Sequence, residues 1–178
     1  MQAPRTGKSG WISIFQRMES TAPGSNLSEI DSVAIYIADP SLLIPKLFGQ
    51  LEGLKKIEQK EIEGVTVGLR FHLSNAVVTL NYLPQNEMQS HMAKFAGFAE
   101  RILAGNAEAL AYVKARSENV KRVLAGYAEP GFDSEGRVIQ FLIKLCSLLN
   151  GFMFAGDSVM DYDGQILIGP PLQGGRMQ

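Results

Sequence analysis

Apolar and polar residues alternate most regularly between positions 65 and 74, where Val, Leu and Phe fill every second place. A period of two is typical of a strand with one buried face. A second apolar run covers positions 77–83, so we expect a hairpin turning at Asn75-Ala76. The expected cross-strand pairs are Phe71 with Leu80, Leu69 with Tyr82, and His72 with Thr79.

The period changes from two to about 3.6 in three other segments, which predicts helices there. Residues 86–104 form the first helix and end at Gly105, and residues 107–116 form the second with Asn106 as its N-cap. A third helix runs from Asp133 or Ser134 to Asn150. Its polar residues form one narrow stripe, which predicts that the rest of the helix is buried. The stripe consists of Arg137, Gln140, Lys144 and Ser147.

Short apolar runs predict the remaining strands. Residues 33–37 form the first strand, which ends at Asp39-Pro40 and leads into a helix over about residues 41–54. Later strands are predicted at 120–129, at 152–155, and in a hairpin within 159–168 that turns at Asp163-Gly164.

A weak internal repeat organises these elements. Residues 38–40 (Ala-Asp-Pro) follow the first strand, and residues 128–130 (Ala-Glu-Pro) follow a later one, each before a helix and two strands. Two β-α-β-β units joined by the helix at 86–104 predict an α+β fold. We expect a two-layer sandwich, mainly an antiparallel sheet with its helices on one face. Residues 31–169 would form a single domain, with a partly flexible leader at 1–30 and a flexible tail at 170–178.

Composition narrows the classes of function. Hydrophobic residues make up 46% of the 178, and 17 Lys and Arg balance 18 Asp and Glu. This is the composition of a folded globular protein, without the basic excess that nucleic-acid binding needs. No apolar stretch is long enough to span a membrane, and the single Cys146 forms no internal disulfide. A cytoplasmic location is therefore expected.

One strand face brings together side chains that could bind a ligand. His72 shares its face with Arg70 and, through the expected hairpin, with Thr79 and Asn81. Arg70 could hold an anion and His72 could exchange a proton. A solvated outer face of an antiparallel sheet gives the same alternation and is the commoner explanation.

No other pattern predicts catalysis or a metal site. The chain has two histidines, and it lacks the His and Cys spacings of zinc sites. Asp157, Asp161 and Asp163 do not fit a calcium loop, since Val159 and Pro170 would occupy its first and twelfth positions. Cys146 lies in an apolar helix, as an inert packing thiol does. We expect His91 on the flank of its helix, and we assign no catalytic residue, metal or cofactor.

Two segments resemble known families. Residues 150–154 with 161–167 (Asn-Gly-Phe-Met-Phe and Asp-Tyr-Asp-Gly-Gln-Ile-Leu) resemble the closing helix, strand and hairpin of uncharacterised bacterial α+β domains. Residues 33–50, a strand, Asp-Pro and a helix rich in Leu and Phe, resemble a unit of the glyoxalase and bleomycin-resistance superfamily. That resemblance implies repeated β-α-β-β-β modules with His and Glu metal ligands on strands. The first strand here carries no such ligand.

The sequence thus favours binding over chemistry. We expect a non-catalytic cytoplasmic domain that binds another protein, as a bacterial adaptor or immunity protein does, and neither nucleic acid nor membrane. The alternative is a small-molecule binder or metal-dependent enzyme of the glyoxalase type that uses Arg70, His72, Thr79 and Asn81.

Overall fold

A computed structural model describes residues 32–133, 135–155 and 158–169. The predicted leader and tail lie outside these ranges. The strands are β1 Ser32–Ile37, β2 Leu54–Ile62, β3 Val65–Leu73, β4 Val77–Tyr82, β5 Arg122–Glu129, β6 Phe152–Ala155, β7 Ser158–Met160 and β8 Ile166–Ile168. The helices are α1 Pro45–Phe48, α2 Gln85–Ile102, α3 Ala107–Glu118 and α4 Arg137–Leu148, with a 3-10 turn at Pro40–Leu42.

The eight strands form one antiparallel sheet in the order β2-β3-β4-β5-β1-β6-β7-β8. Strand β1 lies inside the sheet, where Ala34 pairs with Ala125 of β5 on one side and with Phe154 of β6 on the other. All six residues of β1 are buried. A strand that is apolar at nearly every position suits this place, because both of its faces are covered. The α+β class and the antiparallel sheet are confirmed.

Helices cover both faces of this sheet. Val33, Ile35 and Ile37 of β1 belong to one buried cluster, which includes the apolar side of α4. Ala34 and Tyr36, which point to the opposite face, belong to a second cluster with α2 and α3. The expected two-layer arrangement with helices on one face is therefore not confirmed, and the sheet lies between two helical layers.

Each of the two predicted units contains one strand more than expected, and the two units are arranged differently in the sheet. Strands β1 and β5 are each followed by a helix and three strands, rather than two. The first trio places its last strand, β4, beside β5, whereas the second trio places its first strand, β6, beside β1. The two units therefore do not fold as spatial copies of each other.

The segment after β1 differs most from its prediction. The helix expected over 41–54 is replaced by the 3-10 turn, the four-residue α1, and the start of β2. Asp39 caps the 3-10 turn by accepting the backbone N–H of Ser41 at 3.0 Å. Pro45 occupies the first turn of α1, where its missing N–H costs nothing. Because α1 is only one turn long, residues 54–62 are left to form β2 at the edge of the sheet.

The three longer helices form where they were predicted, although α4 begins at Arg137 with Gly136 as its N-cap, later than the predicted start at Asp133 or Ser134. Asn106 caps α3 by accepting the N–H of Ala109 at 3.0 Å. In α4 the residues between the polar stripe are buried, and Lys144 in the stripe pairs with Glu52 at 2.6 Å. Met88, Phe95 and Phe98 of α2 are buried against the sheet as core residues. In the described part of the chain, no helix is both long and apolar enough to cross a membrane.

The β3–β4 hairpin forms, but two residues out of the expected register. Phe71 pairs with Val78, Leu69 with Leu80, and Arg70 with Thr79. The predicted pairs Phe71–Leu80, Leu69–Tyr82 and His72–Thr79 are therefore wrong. Ser74, Asn75 and Ala76 all belong to the connection, which the N–H of Leu73 closes by donating to the carbonyl of Ala76 at 2.8 Å. A shift of two residues leaves every side chain on its predicted face.

Candidate functional site

The structure places the four predicted binding residues on one sheet face. Arg70 is the cross-strand partner of Thr79, and Asn81 lies opposite Gly68 in the next pair on the same face. His72 is two residues beyond Arg70 and lies opposite Val77. The four side chains therefore lie in three successive rows across β3 and β4, with Arg70 and Thr79 as direct neighbours in the middle row.

This part of the sheet face lies beyond the helices that cover the rest of it. The cluster under α2 and α3 takes its strand residues from β1, β5, β6, β7 and β8, and none from β2, β3 or β4. On the opposite face, in contrast, β3 and β4 belong to the cluster under α4. Within the described ranges no helix-packed apolar cluster covers this region, although Thr79 in it is buried, and we call it the outer sheet face. It consists of Lys56, Glu58, Lys60, Arg70, His72, Thr79 and Asn81.

An ion network on β2 completes the outer sheet face. Glu58 lies 2.6 Å from Lys56 Nζ, 3.1 Å from His72 Nε2 and 3.9 Å from Arg70 Nη1. The hydrogen bond from Lys56, followed by the one from His72, lowers the pKa of Glu58 to about 2. Glu58 therefore remains charged throughout the physiological range and holds the basic side chains of β2 and β3 together.

Sequence reasoning missed the β2 contribution because residues 54–62 were not predicted as a strand. Lys56, Glu58 and Lys60 occupy alternate positions and so share one strand face. Ile57, between them, packs against the core on the other side. The alternation of charged residues with the apolar Ile57 is the sequence pattern that could have predicted this strand.

Thr79 and Asn81 differ in their surroundings. Thr79 is 3% exposed, and among the described residues its Oγ1 has no hydrogen-bond partner. Asn81 is partly exposed, and its side-chain oxygen accepts a bond from Lys60 Nζ at 3.3 Å. The side-chain oxygen of Asn81 thus has a hydrogen-bond donor, whereas the buried hydroxyl of Thr79, next to Arg70, has no partner among the described residues.

The outer sheet face lacks the groups of a metal or nucleophilic centre. Within the described ranges, no cluster of three or more His, Cys, Asp or Glu side chains could hold a metal. His72 has one carboxylate, Glu58, within reach. Cys146 is buried in α4, and this burial raises its pKa to about 12, so its thiol stays protonated. The side chains of the outer sheet face can form ion pairs and hydrogen bonds with a ligand.

His91 lies inside the protein, so its expected position on the helix flank is wrong. It is 0% exposed, and its Nε2 is 2.8 Å from the hydroxyl of Tyr36 on β1. Burial, followed by the charge of Lys94, lowers the pKa of His91 to about 4. A neutral His91 is therefore part of the core between α2 and the sheet.

A second polar cluster joins α3 to the β7–β8 connection. Asp161, 2% exposed, accepts hydrogen bonds from the hydroxyl of Tyr112, from Arg116 Nη2 at 2.9 Å and from the N–H of Tyr162 at 2.8 Å. Arg116 also donates to the carbonyl of Gly151 at 3.3 Å. With three donors on its carboxylate, Asp161 anchors the β7–β8 connection to α3.

Comparisons with protein-family models, curated proteins and solved structures find no match to this chain. No residue role is therefore carried over from another protein, and the functional argument rests on the outer sheet face itself.

Proposed function

We propose that this protein is a non-catalytic binding domain that recognises another protein through its outer sheet face. The observation that carries the proposal is the unequal covering of the sheet. One face is packed in the cluster of α4 from β3 to β7, while the other is packed under α2 and α3 from β8 only as far as β5. Charged and polar side chains occupy this face on the remaining strands, β2, β3 and β4, as they do in the polar part of protein interfaces.

The charge of the outer sheet face defines the kind of partner it suits. This side of the sheet carries three basic side chains, Lys56, Lys60 and Arg70, and the carboxylates of Glu58 and Glu129. Such a surface attracts an acidic partner and orients it during encounter. The contribution of each exposed ion pair to affinity is small, so we expect the specificity to come from the whole face.

The end of the β2–β3 hairpin exposes an apolar pair, which points to the side of Leu69 and Phe71 and not to the outer sheet face. Ile62 and Val65 pair directly across the turn and are 56% and 63% exposed. Glu63 and Gly64 make that turn with positive φ angles of 52° and 78°, which match a tight two-residue connection. Two adjacent β-branched side chains at a projecting turn can enter an apolar pocket of a partner.

Affinity capture from native extract with quantitative mass spectrometry tests this function. We expect one partner that binds the wild-type chain and is lost from the double variant Lys56→Glu/Lys60→Glu. The matched control, Arg137→Glu/Lys144→Glu, reverses two basic residues on the side of the sheet covered by α4 and should retain it. Purified partner should then bind the wild-type protein in stoichiometric amounts. Equal capture by both variants, or no stoichiometric partner, would overturn the proposal.

The glyoxalase-type alternative makes a different prediction. A metal site on this face would use His72, with Glu58 as the nearest carboxylate. We expect protein purified without chelator to contain no stoichiometric divalent metal when measured by elemental analysis. A bound metal that is lost in His72→Ala and retained in His91→Gln would support the alternative and contradict the proposed function.

A further inference from the structure

One row of cross-strand neighbours crosses four strands on this side of the sheet. Glu58 of β2 pairs with Arg70, Arg70 pairs with Thr79, and Thr79 pairs with Tyr127 of β5. Directly paired residues have Cβ atoms about 5 Å apart, so the side chains of such a row are in contact range. Arg70 and Thr79 lie at its centre.

Arg70 has hydrogen-bonding capacity that its neighbours do not use. Its side chain is 46% exposed, and its contact with Glu58 is 3.9 Å, beyond hydrogen-bond distance. Lys56 and His72 lie closer to that carboxylate, at 2.6 and 3.1 Å. A guanidinium presents five N–H donors in a planar fork that fits the two oxygens of a carboxylate. The fork of Arg70 is therefore available to an external acceptor.

Thr79 provides a second donor beside that fork. Its hydroxyl is buried and lacks a hydrogen-bond partner among the described residues. A buried polar group left unpaired destabilises the fold unless something satisfies it. Thr79 is flanked in this row by Arg70 and Tyr127, so a ligand reaches its hydroxyl only if the Arg70 side chain, 46% exposed, shifts toward solvent.

We propose that Arg70 and Thr79 form a site for the carboxylate of an Asp or Glu side chain on the partner protein. This inference rests on the proposed function and names the group that the outer sheet face recognises. The carboxylate accepts two N–H groups from Arg70 and the hydroxyl of Thr79. A singly charged group fits better than a phosphate dianion, because Glu58 and Glu129 share this side of the sheet.

An NMR titration of the full-length ¹⁵N-labelled chain tests the site with acetyl-Glu-Glu-Glu-amide as the probe. We expect saturable shifts centred on the amides of residues 68–72 and 77–81, and none with acetyl-Gln-Gln-Gln-amide. Arg70→Gln should weaken binding about tenfold or more, which is the effect of losing charge-assisted hydrogen bonds. Thr79→Val, which keeps the side-chain shape, should weaken it by about fivefold without lowering the melting temperature. Arg137→Gln is the control and should bind as the wild type does.

Several results would overturn the site. Shifts that Arg70→Gln leaves unchanged would place the probe elsewhere. Inorganic phosphate that produces the same shifts with equal or higher affinity would contradict the assignment to a side-chain carboxylate. If Lys56→Glu/Lys60→Glu loses a captured partner that Arg70→Gln retains, this site is wrong while the proposed function stands. If both variants retain that partner, both proposals are wrong.

Discussion

Replacing Asp161 by Asn is expected to lower the free energy of unfolding by about 3 kcal/mol, the lower end of the range for breaking a buried ion pair. The variant removes the charge that Arg116 and the hydroxyl of Tyr112 both contact. Arg116 is only 22% exposed, so water cannot fully replace the lost carboxylate. Urea denaturation followed by circular dichroism measures the change.

Glu135→Gln is the matched control for this prediction. It also converts an arginine-paired carboxylate to an amide, but Glu135 and its partner Arg137 are 63% and 58% exposed. Exposed pairs contribute little, so we expect a loss below about 1 kcal/mol. Equal losses in the two variants would show that Asp161 is not the anchor of the β7–β8 connection.

Acidification should destabilise the protein through His91. The pKa of His91 is about 4 in the folded protein, below the ordinary value of 6.5 that applies to the unfolded chain. Between these values the unfolded state binds more protons, so stability falls as the pH decreases from 6.5 toward 4. The loss should reach about 3 kcal/mol at pH 4. Denaturant unfolding at a series of pH values measures it.

His91→Gln isolates this effect from other titrating groups. Glutamine can still bond the hydroxyl of Tyr36 but does not titrate, so the variant should lack the His91 contribution to the pH dependence. Carboxylates that titrate near pH 4 do so in both proteins and cancel when the two curves are subtracted. Parallel curves for wild type and variant would contradict a neutral, buried His91.

The sequence predicted the outer sheet face better where periodicity was regular. Residues 65–73 alternate so strictly that Arg70 and His72 were placed on their correct face even though the register was wrong by two. Strand β2 was missed because charged residues dominate it, as they often do on an edge strand that must avoid pairing with other chains. Glu58, which contacts Lys56, Arg70 and His72, was therefore also missing from the predicted site.

Two other features needed tertiary information. The continuous apolar run of β1 predicted a strand, but the sequence analysis placed the helices on one face and did not show that both faces of β1 are covered. His91 is a polar residue in an amphipathic helix, where a solvated flank is the usual place. Its burial depends on Tyr36, 55 positions away in the chain, whose hydroxyl satisfies it.

The interior position of β1 has a consequence for synthesis. Residues 32–37 are synthesised before both of their partners, residues 122–127 and 152–155. At roughly 5–20 residues per second, the ribosome needs several seconds or more to make those partners after β1 has emerged. During that interval an apolar strand has both edges open. The native pairing of β1 therefore has to wait for these later residues, and it carries the entropic cost of closing a long loop.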